Sequence, residues 1–197
     1  MNFLIVLNGD TANNNELNEI IQKADYVICA DGGAKWAHNW GIRIDAVIGD
    51  MDSLEMEDLK LFESLHIKTI KAPAEKDETD GILAVDYSVL NGAKSVVILV
   101  GEGGRLDHQY GNLLHLTRMQ DYNCTAKMFL KDGYVILSNK ETEIFCNIGD
   151  IISVVPFEGE LVISEASGLK YGIDKNEVTV LNIEAQNYMR IDASFYS

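Results

Sequence analysis

Ile44-Asp45-Ala46-Val47-Ile48-Gly49-Asp50-Met51-Asp52-Ser53-Leu54 decides how the first half of this chain is read. A short apolar run ends at glycine, and two carboxylates at i and i+2 follow with a hydroxyl alongside. A looser helical pattern then runs from Leu54 to Leu65, carrying Leu54, Leu61, Phe62 and Leu65. Apolar runs of this length bounded by turn signals read as buried strands. The same phrase recurs outward along the chain. Tyr26 to Ala30 leads into Asp31-Gly32-Gly33-Ala34, and Ile67 to Ile70 into Lys76-Asp77-Glu78-Thr79-Asp80. Val96 to Val100 leads into Gly101-Glu102-Gly103-Gly104-Arg105-Leu106-Asp107-His108, and Phe3 to Leu7 supplies a fifth strand. Helical spacing is repeated in Asn15 to Ala24 (Leu17, Ile20, Ile21), Gly81 to Leu90 (Ile82, Val85, Val89) and Gln109 to Met119 (Leu113, Leu116, Met119). Strands alternating with helices predict an α/β fold: an open, mainly parallel sheet with helices on both faces.

After Met119 the pattern changes. Lys127 to Leu130, Tyr134 to Leu137, Ile151 to Val155, Leu161 to Ile163, Val178 to Ile183 and Tyr188 to Ala193 are brief β-rich runs. Turn signals at Asp132-Gly133, Gly149-Asp150, Glu158-Gly159 and Asp174-Lys175-Asn176 separate them, without helical periodicity. The expected organisation is an α/β domain over 1–131 and a small all-β sandwich over 132–197.

The net charge of −15 repels nucleic acid and anionic membranes, so neither is an expected partner. A phosphorylated small molecule is still compatible, because a divalent cation held by some of the carboxylates reverses the local field. Cys29, Cys124 and Cys146 are far apart and odd in number, which suggests neither a disulfide framework nor a zinc knuckle. Met1 to Leu7 lacks a basic leader and reads as a strand, and no stretch approaches the roughly 20 apolar residues of a membrane span. A reducing cytoplasm is the expected location.

Each of the four acidic motifs falls where an expected strand ends, and ligands of open α/β sheets bind outside the carboxyl ends of the strands. Each also has a plainer reading. Asp31-Gly32-Gly33 lets backbone N–H groups approach an anion, or simply makes a tight turn. Asp50 and Asp52 suit Mg²⁺, which takes hard oxygen ligands, yet Asp52 or Ser53 equally suits the cap of a helix opening at Leu54. Asp77 with Asp80 resembles a capping box for the helix through Leu90, although Asp77, Thr79 and Asp80 could also ligate metal or bond phosphate. In the fourth motif, Gly103 and Gly104 give close backbone approach and Arg105 can grip a phosphate with two parallel hydrogen bonds. Asp107 there can ligate metal, take a proton or cap a helix. The joint pattern specifies a Mg-nucleotide crevice in a chain without the usual phosphate loops. His38, His66 and His115 read as surface or satisfied core residues.

The order D-G-G-A, G-D-x-D-S, K-D-x-T-D and G-G-R-x-D-H resembles the thiamine pyrophosphokinase (thiamine diphosphokinase) family. Gly149-Asp150-Ile151-Ile152-Ser153-Val154-Val155-Pro156 is similar to the strand that enters that family's β domain, and Gly168-Leu169-Lys170-Tyr171 to its G-L-K-aromatic segment. The resemblance implies an ATP-dependent diphosphotransferase that passes the diphosphate of ATP to the hydroxyl of thiamine and releases AMP. It further implies a homodimer with sites at the subunit interface, and Mg²⁺ on Asp50, Asp52 and Asp80. Asp31, Gly32, Gly33, Asp77, Thr79, Gly103, Gly104 and Arg105 would bind the nucleotide, and Asp52, Arg105 and Asp107 would serve catalysis, with either Asp107 or Asp52 accepting the hydroxyl proton. Ser167, Gly168, Leu169, Lys170, Tyr171, Gln186 and Asn187 would meet thiamine. The chain departs from the family pattern at Gln186, where a serine is usual, and carries Tyr171 where some members have tryptophan. Two rival readings are a Mg- or Mn-dependent phosphoesterase, since D-x-D with Asp-His can hold two metals that activate water, and a non-catalytic ATP-sensing module.

Overall fold

The computed structural model describes residues 1–8, 15–72, 78–100, 106–120, 122, 124–131, 133–138, 142–145, 147–155, 160–163, 179–182, 188–191 and 193–196. Contacts divide the chain into two compact units, Met1–Leu137 and Ser138–Ser197.

In the first unit strands and helices alternate as β1 (Asn2–Val6), α1 (Asn15–Lys23), β2 (Tyr26–Ala30), α2 (Gly33–Asn39), β3 (Ala46–Gly49), α3 (Met56–Ser64), β4 (Lys68–Lys71), α4 (Asp80–Leu90), β5 (Ser95–Leu99), α5 (Leu106–Gln120), β6 (Thr125–Leu130) and β7 (Gly133–Val135). They build one seven-stranded sheet in the order β4-β3-β2-β1-β5-β6-β7. All pairings are parallel except β6 with β7. The expected α/β class therefore holds, with one addition at the end. β7, in the stretch just after residue 131, pairs with β6 as a hairpin at the edge of this sheet, with Phe129 opposite Tyr134 and Leu130 opposite Gly133.

Because side chains alternate across a strand, each strand serves two cores. Phe3, Ile5, Ile28, Ile48 and Ile98 face one way, toward Ala84 and Val85 of α4 and Leu116 and Met119 of α5. Leu4, Val6, Val27, Val47 and Phe129 face the other, toward Leu17 of α1, Ala34 and Ala37 of α2 and Phe62 of α3. Each of the Val, Leu, Ile, Phe and Met side chains among these, fully buried, contributes roughly 1.5–3 kcal/mol relative to exposure. The helices fall on opposite faces because the strands after β1 first proceed to one side of it and then, from β5, to the other, as crossovers of one constant hand require. The reversal lies between β1 and β5. Ile67 to Ile70 was expected to be buried; β4 is instead the edge strand, largely exposed and flanked by Lys68 and Lys71, which blunt the edge.

The second unit contains β8 (Thr142–Phe145), β9 (Ile151–Val154), β10 (Glu160–Ile163), β11 (Thr179–Asn182), β12 (Tyr188–Ile191) and β13 (Ala193–Tyr196). They pair antiparallel as β8 with β12, β9 with β11 and β10 with β13. The turn expected at Gly149-Asp150 is present: Asp150 accepts from the Asn147 backbone at 2.6 Å, and Gly149 has φ 98°. Among the described residues no helix is long and apolar enough to cross a membrane.

Candidate functional site

The carboxyl ends of β1, β2 and β3 and the start of α4 bring Asn8, Asp31, Asp50 and Asp80 to one edge of the sheet. At Asp31 the chain turns directly from β2 into α2. Its backbone N–H donates to Ile48 O at 2.9 Å, its carbonyl accepts from Ala34 N at 3.0 Å, and its φ of 42° lies in the left-handed region. Aspartate adopts that conformation more readily than most non-glycine residues. At Gly33 a Cβ would strike the carbonyl oxygen of Val6, so α2 starts pressed on the backbone of β1.

The next loop uses a second left-handed residue. Met51 has φ 68° and is buried in the core shared with α2 and α3, while Asp50 and Asp52 flank it outside. The Asp50 carboxylate accepts from the Asp52 backbone N–H at 3.1 Å. Gly49 has φ 151°, and a Cβ there would lie 3.1 Å from Asp31 Cβ and 3.1 Å from Asp80 Oδ1. The missing side chain is what lets Asp31 and Asp80 close on the β3 terminus.

The result is a cluster in which one oxygen from each of Asp31, Asp50 and Asp52 lies within 4.8 Å of the others. The proton affinity of Asp52 is raised above the ordinary carboxylate value, chiefly by the charge of Asp50, then by partial desolvation and by Asp31 and Asp80. Asp31 Oδ1 is buried and has no hydrogen-bond partner among the described residues. Buried polar atoms are rarely left so. Converging hard oxygen donors with an unsatisfied carboxylate oxygen among them match the ligand set Mg²⁺ takes.

The plainer capping readings are corrected here. Helix α3 starts at Met56, not Leu54, and neither Asp52 nor Ser53 caps it; Asp58 accepts from Glu55 N at 2.8 Å, and Lys35 of α2 pairs with Asp58 at 2.9 Å. Thr79, not Asp77, is the N-cap of α4, its hydroxyl accepting from Ile82 N at 3.3 Å, and Asp80 is the first helical residue. Asp107 is exposed in the first turn of α5. Asp77, Gly103, Gly104, Arg105, Ser167, Gly168, Leu169, Lys170, Tyr171, Gln186 and Asn187 lie outside the described residues.

His115 departs from the expected satisfied histidine. It is buried on α5, its Nδ1 has no partner among the described residues, and a Cβ on Gly81 would strike its Nε2. Burial holds its pKa down to about 4, so the ring is neutral. The bidentate pair of Arg118 with Asp86, at 3.0 and 2.9 Å, ties the same two helices together.

Asn8 was not singled out from sequence. Its amide nitrogen sits 3.0 Å from the position of a Cβ on Gly32, and Ser53 Oγ lies 3.2 Å from that point. The only signal for it was a polar residue closing an apolar strand.

Residues 17–128 match the family model described as thiamin pyrophosphokinase, catalytic domain. The chain is 28% identical over 178 residues to Thiamine pyrophosphokinase 1 of Arabidopsis thaliana, covering 77% of this chain and 66% of that protein. To Thiamine pyrophosphokinase of Bacillus subtilis (strain 168) it is 26% identical over 155 residues, 78% of this chain and 72% of the other. The chain thus spans about two thirds of the length of the Arabidopsis relative. The crystal structure of the Bacillus subtilis thiamine pyrophosphokinase superposes with a TM-score of 0.83 at 22% identity, over 99% of this chain and 95% of that one. The thiamin pyrophosphokinase from Candida albicans gives 0.79 at 17% identity, over 98% and 87%.

Proposed function

We propose that this chain, which belongs to the thiamin pyrophosphokinase family, is a thiamine diphosphokinase: it transfers the diphosphate of ATP to the hydroxyl of thiamine and releases AMP. The observation that carries the reading is the convergence of Asp31, Asp50 and Asp52 at the carboxyl ends of β2 and β3, inside the matched segment. Asp50, Asp52 and Asp80, with Asp31 beside them, are the residues that would hold Mg²⁺. When bound, Mg²⁺ supplies neutralisation of the charge that develops on the transferring phosphate oxygens.

The thiamine oxygen attacks the β-phosphorus, the bond from that phosphorus to the oxygen bridging to the α-phosphate breaks, and AMP leaves. The hydroxyl proton goes to a carboxylate. Asp52, beside the other carboxylates, and Asp107, at the start of α5, are the two candidates to receive it. The family resemblance assigns the phosphates to Asp77, Gly103, Gly104 and Arg105, and thiamine to Ser167 through Tyr171 with Gln186 and Asn187. The α/β domain would carry nucleotide and metal, the β domain would carry thiamine, and a homodimer in the cytoplasm would complete each site between chains. Thr79 serves α4 as its cap, so its part in nucleotide binding would be shared with that role.

Incubation with ATP, Mg²⁺ and thiamine is expected to give AMP and thiamine diphosphate in equal amounts. AMP or phosphate released at the same rate without thiamine would replace this reading with hydrolysis.

A further inference from the structure

Asn8 follows β1, the strand at which the order of the sheet reverses, with β2 on one side and β5 on the other. The loops after β1, β2 and β3 meet at Gly32: Asn8 Nδ2 and Ser53 Oγ lie 3.0 and 3.2 Å from the place its Cβ would occupy. Any side chain at 32 would press on both. Both residues are exposed, and among the described residues neither the Asn8 amide nor the Ser53 hydroxyl has a hydrogen-bond partner. Beside them stand Asp31, Asp50, Asp52 and Asp80, charged alike and close enough to raise the proton affinity of Asp52.

A polyphosphate entering this corner meets a negative wall on one side. A divalent cation neutralises the oxygens it touches and leaves other non-bridging oxygens in need of donors. An amide offers two N–H groups and a hydroxyl one O–H, without adding a charge that would compete for the carboxylates. We propose that the Asn8 amide and the Ser53 hydroxyl form a neutral donor pair that binds a non-bridging phosphate oxygen of the nucleotide. The proposal rests on the nucleotide-dependent reading above and adds two residues to it.

The full chain is titrated calorimetrically with a non-hydrolysable ATP analogue in Mg²⁺, and KM values for ATP and thiamine are measured alongside. Asn8→Leu keeps the size and removes the donor without a new charge. Its Kd for the analogue and KM for ATP are expected to rise about tenfold or more, with KM for thiamine unchanged, since a hydrogen bond to a charged group is at stake. Asn8→Asp adds a fifth carboxylate and is expected to weaken the analogue further. Ser53→Ala is expected to weaken it less, and the double variant to fall short of the product of the two effects, because both donors serve one oxygen.

A folded Asn8→Leu protein, judged by an unchanged melting temperature, that binds the analogue as wild type does overturns the pair. If that variant does not fold, wild-type affinity in Ser53→Ala overturns it instead. Wild-type protein that binds the analogue but makes no thiamine diphosphate sinks the proposed transfer reaction and leaves the donor pair to be judged on binding. Normal transfer with unaffected variants sinks the pair alone.

Discussion

The two ends of the seven-stranded sheet treat charge in opposite ways. At the amino end, Asp25 accepts from Asn2 N at 2.8 Å, Asp45 accepts from Val27 N at 2.8 Å and from Arg43 Nε at 3.1 Å, and Lys68 donates to Tyr87 at 3.1 Å. Arg43 spends its remaining donors on the carbonyls of Ala24 and Asp25. At the carboxyl end, Asp31, Asp50 and Asp52 crowd together, Asp31 Oδ1 has no partner among the described residues, and Asp31 and Met51 hold left-handed backbone. Paired charge fastens strand starts to the loops that feed them. Crowded like charge at the other end works against the folded state, a cost in stability that the paired end and the cores offset.

Asp50→Asn gives the largest expected effect. It leaves the fold intact and lowers kcat/KM by about a hundredfold or more, measured as thiamine diphosphate formed at saturating Mg²⁺. Normal turnover in that variant would remove the carboxyl end from the chemistry altogether.

His115, buried beneath the start of α4, gives the next effect through pH. Its folded pKa of about 4 lies below the unfolded value near 6.5, so its neutral ring contributes stability that is fully present above about 6.5 and lost as pH falls toward 4. The loss amounts to about 3 kcal/mol across that window. Denaturant melts at both pH values are expected to show it, and His115→Leu to flatten it.

Asp45→Ala tests the amino end. Removing the acceptor for Val27 N and Arg43 is expected to cost about 1–3 kcal/mol of unfolding free energy and to leave kcat unchanged below the melt. A kcat loss without a stability loss would reverse the roles assigned to the two ends.

The smallest effect belongs to Asp52→Asn without divalent cation. Since neighbours raise the folded pKa of Asp52, its charge disfavours the folded state, and stability falls as pH rises from the ordinary carboxylate value through the raised one. Neutralising it is expected to raise the Tm of the cation-free protein slightly at neutral pH, while turnover measured separately with Mg²⁺ falls. A lowered Tm would mean that Asp52 is held by a favourable partner instead.

Much of this site was legible in the sequence because the acidic residues follow apolar runs, and a strand end fixes where its next residue sits. Asp31 and Asp50 were placed at the ends of β2 and β3 on that ground alone. The caps were misread because a helix start is decided by whichever side chain meets the free N–H groups. Glu55 with Asp58 and Thr79 do so, while Asp52 and Asp77 offered the same chemistry on paper. Asn8 gave no local sign beyond a polar residue closing an apolar strand, as its neighbours Gly32 and Ser53 come from other loops. Nor did His115, whose burial depends on α4 lying against α5.

Alternation of apolar runs and the helical repeats determined the α/β class by themselves, because a residue's periodicity is set by the backbone it sits on. Tertiary structure alone decided which carboxylates meet. Strand order brings β1, β2 and β3 side by side, and absent side chains at Gly33 and Gly49 allow their loops to close within a few ångströms. Contact at that range depends on packing between segments distant in the chain, which no local pattern encodes.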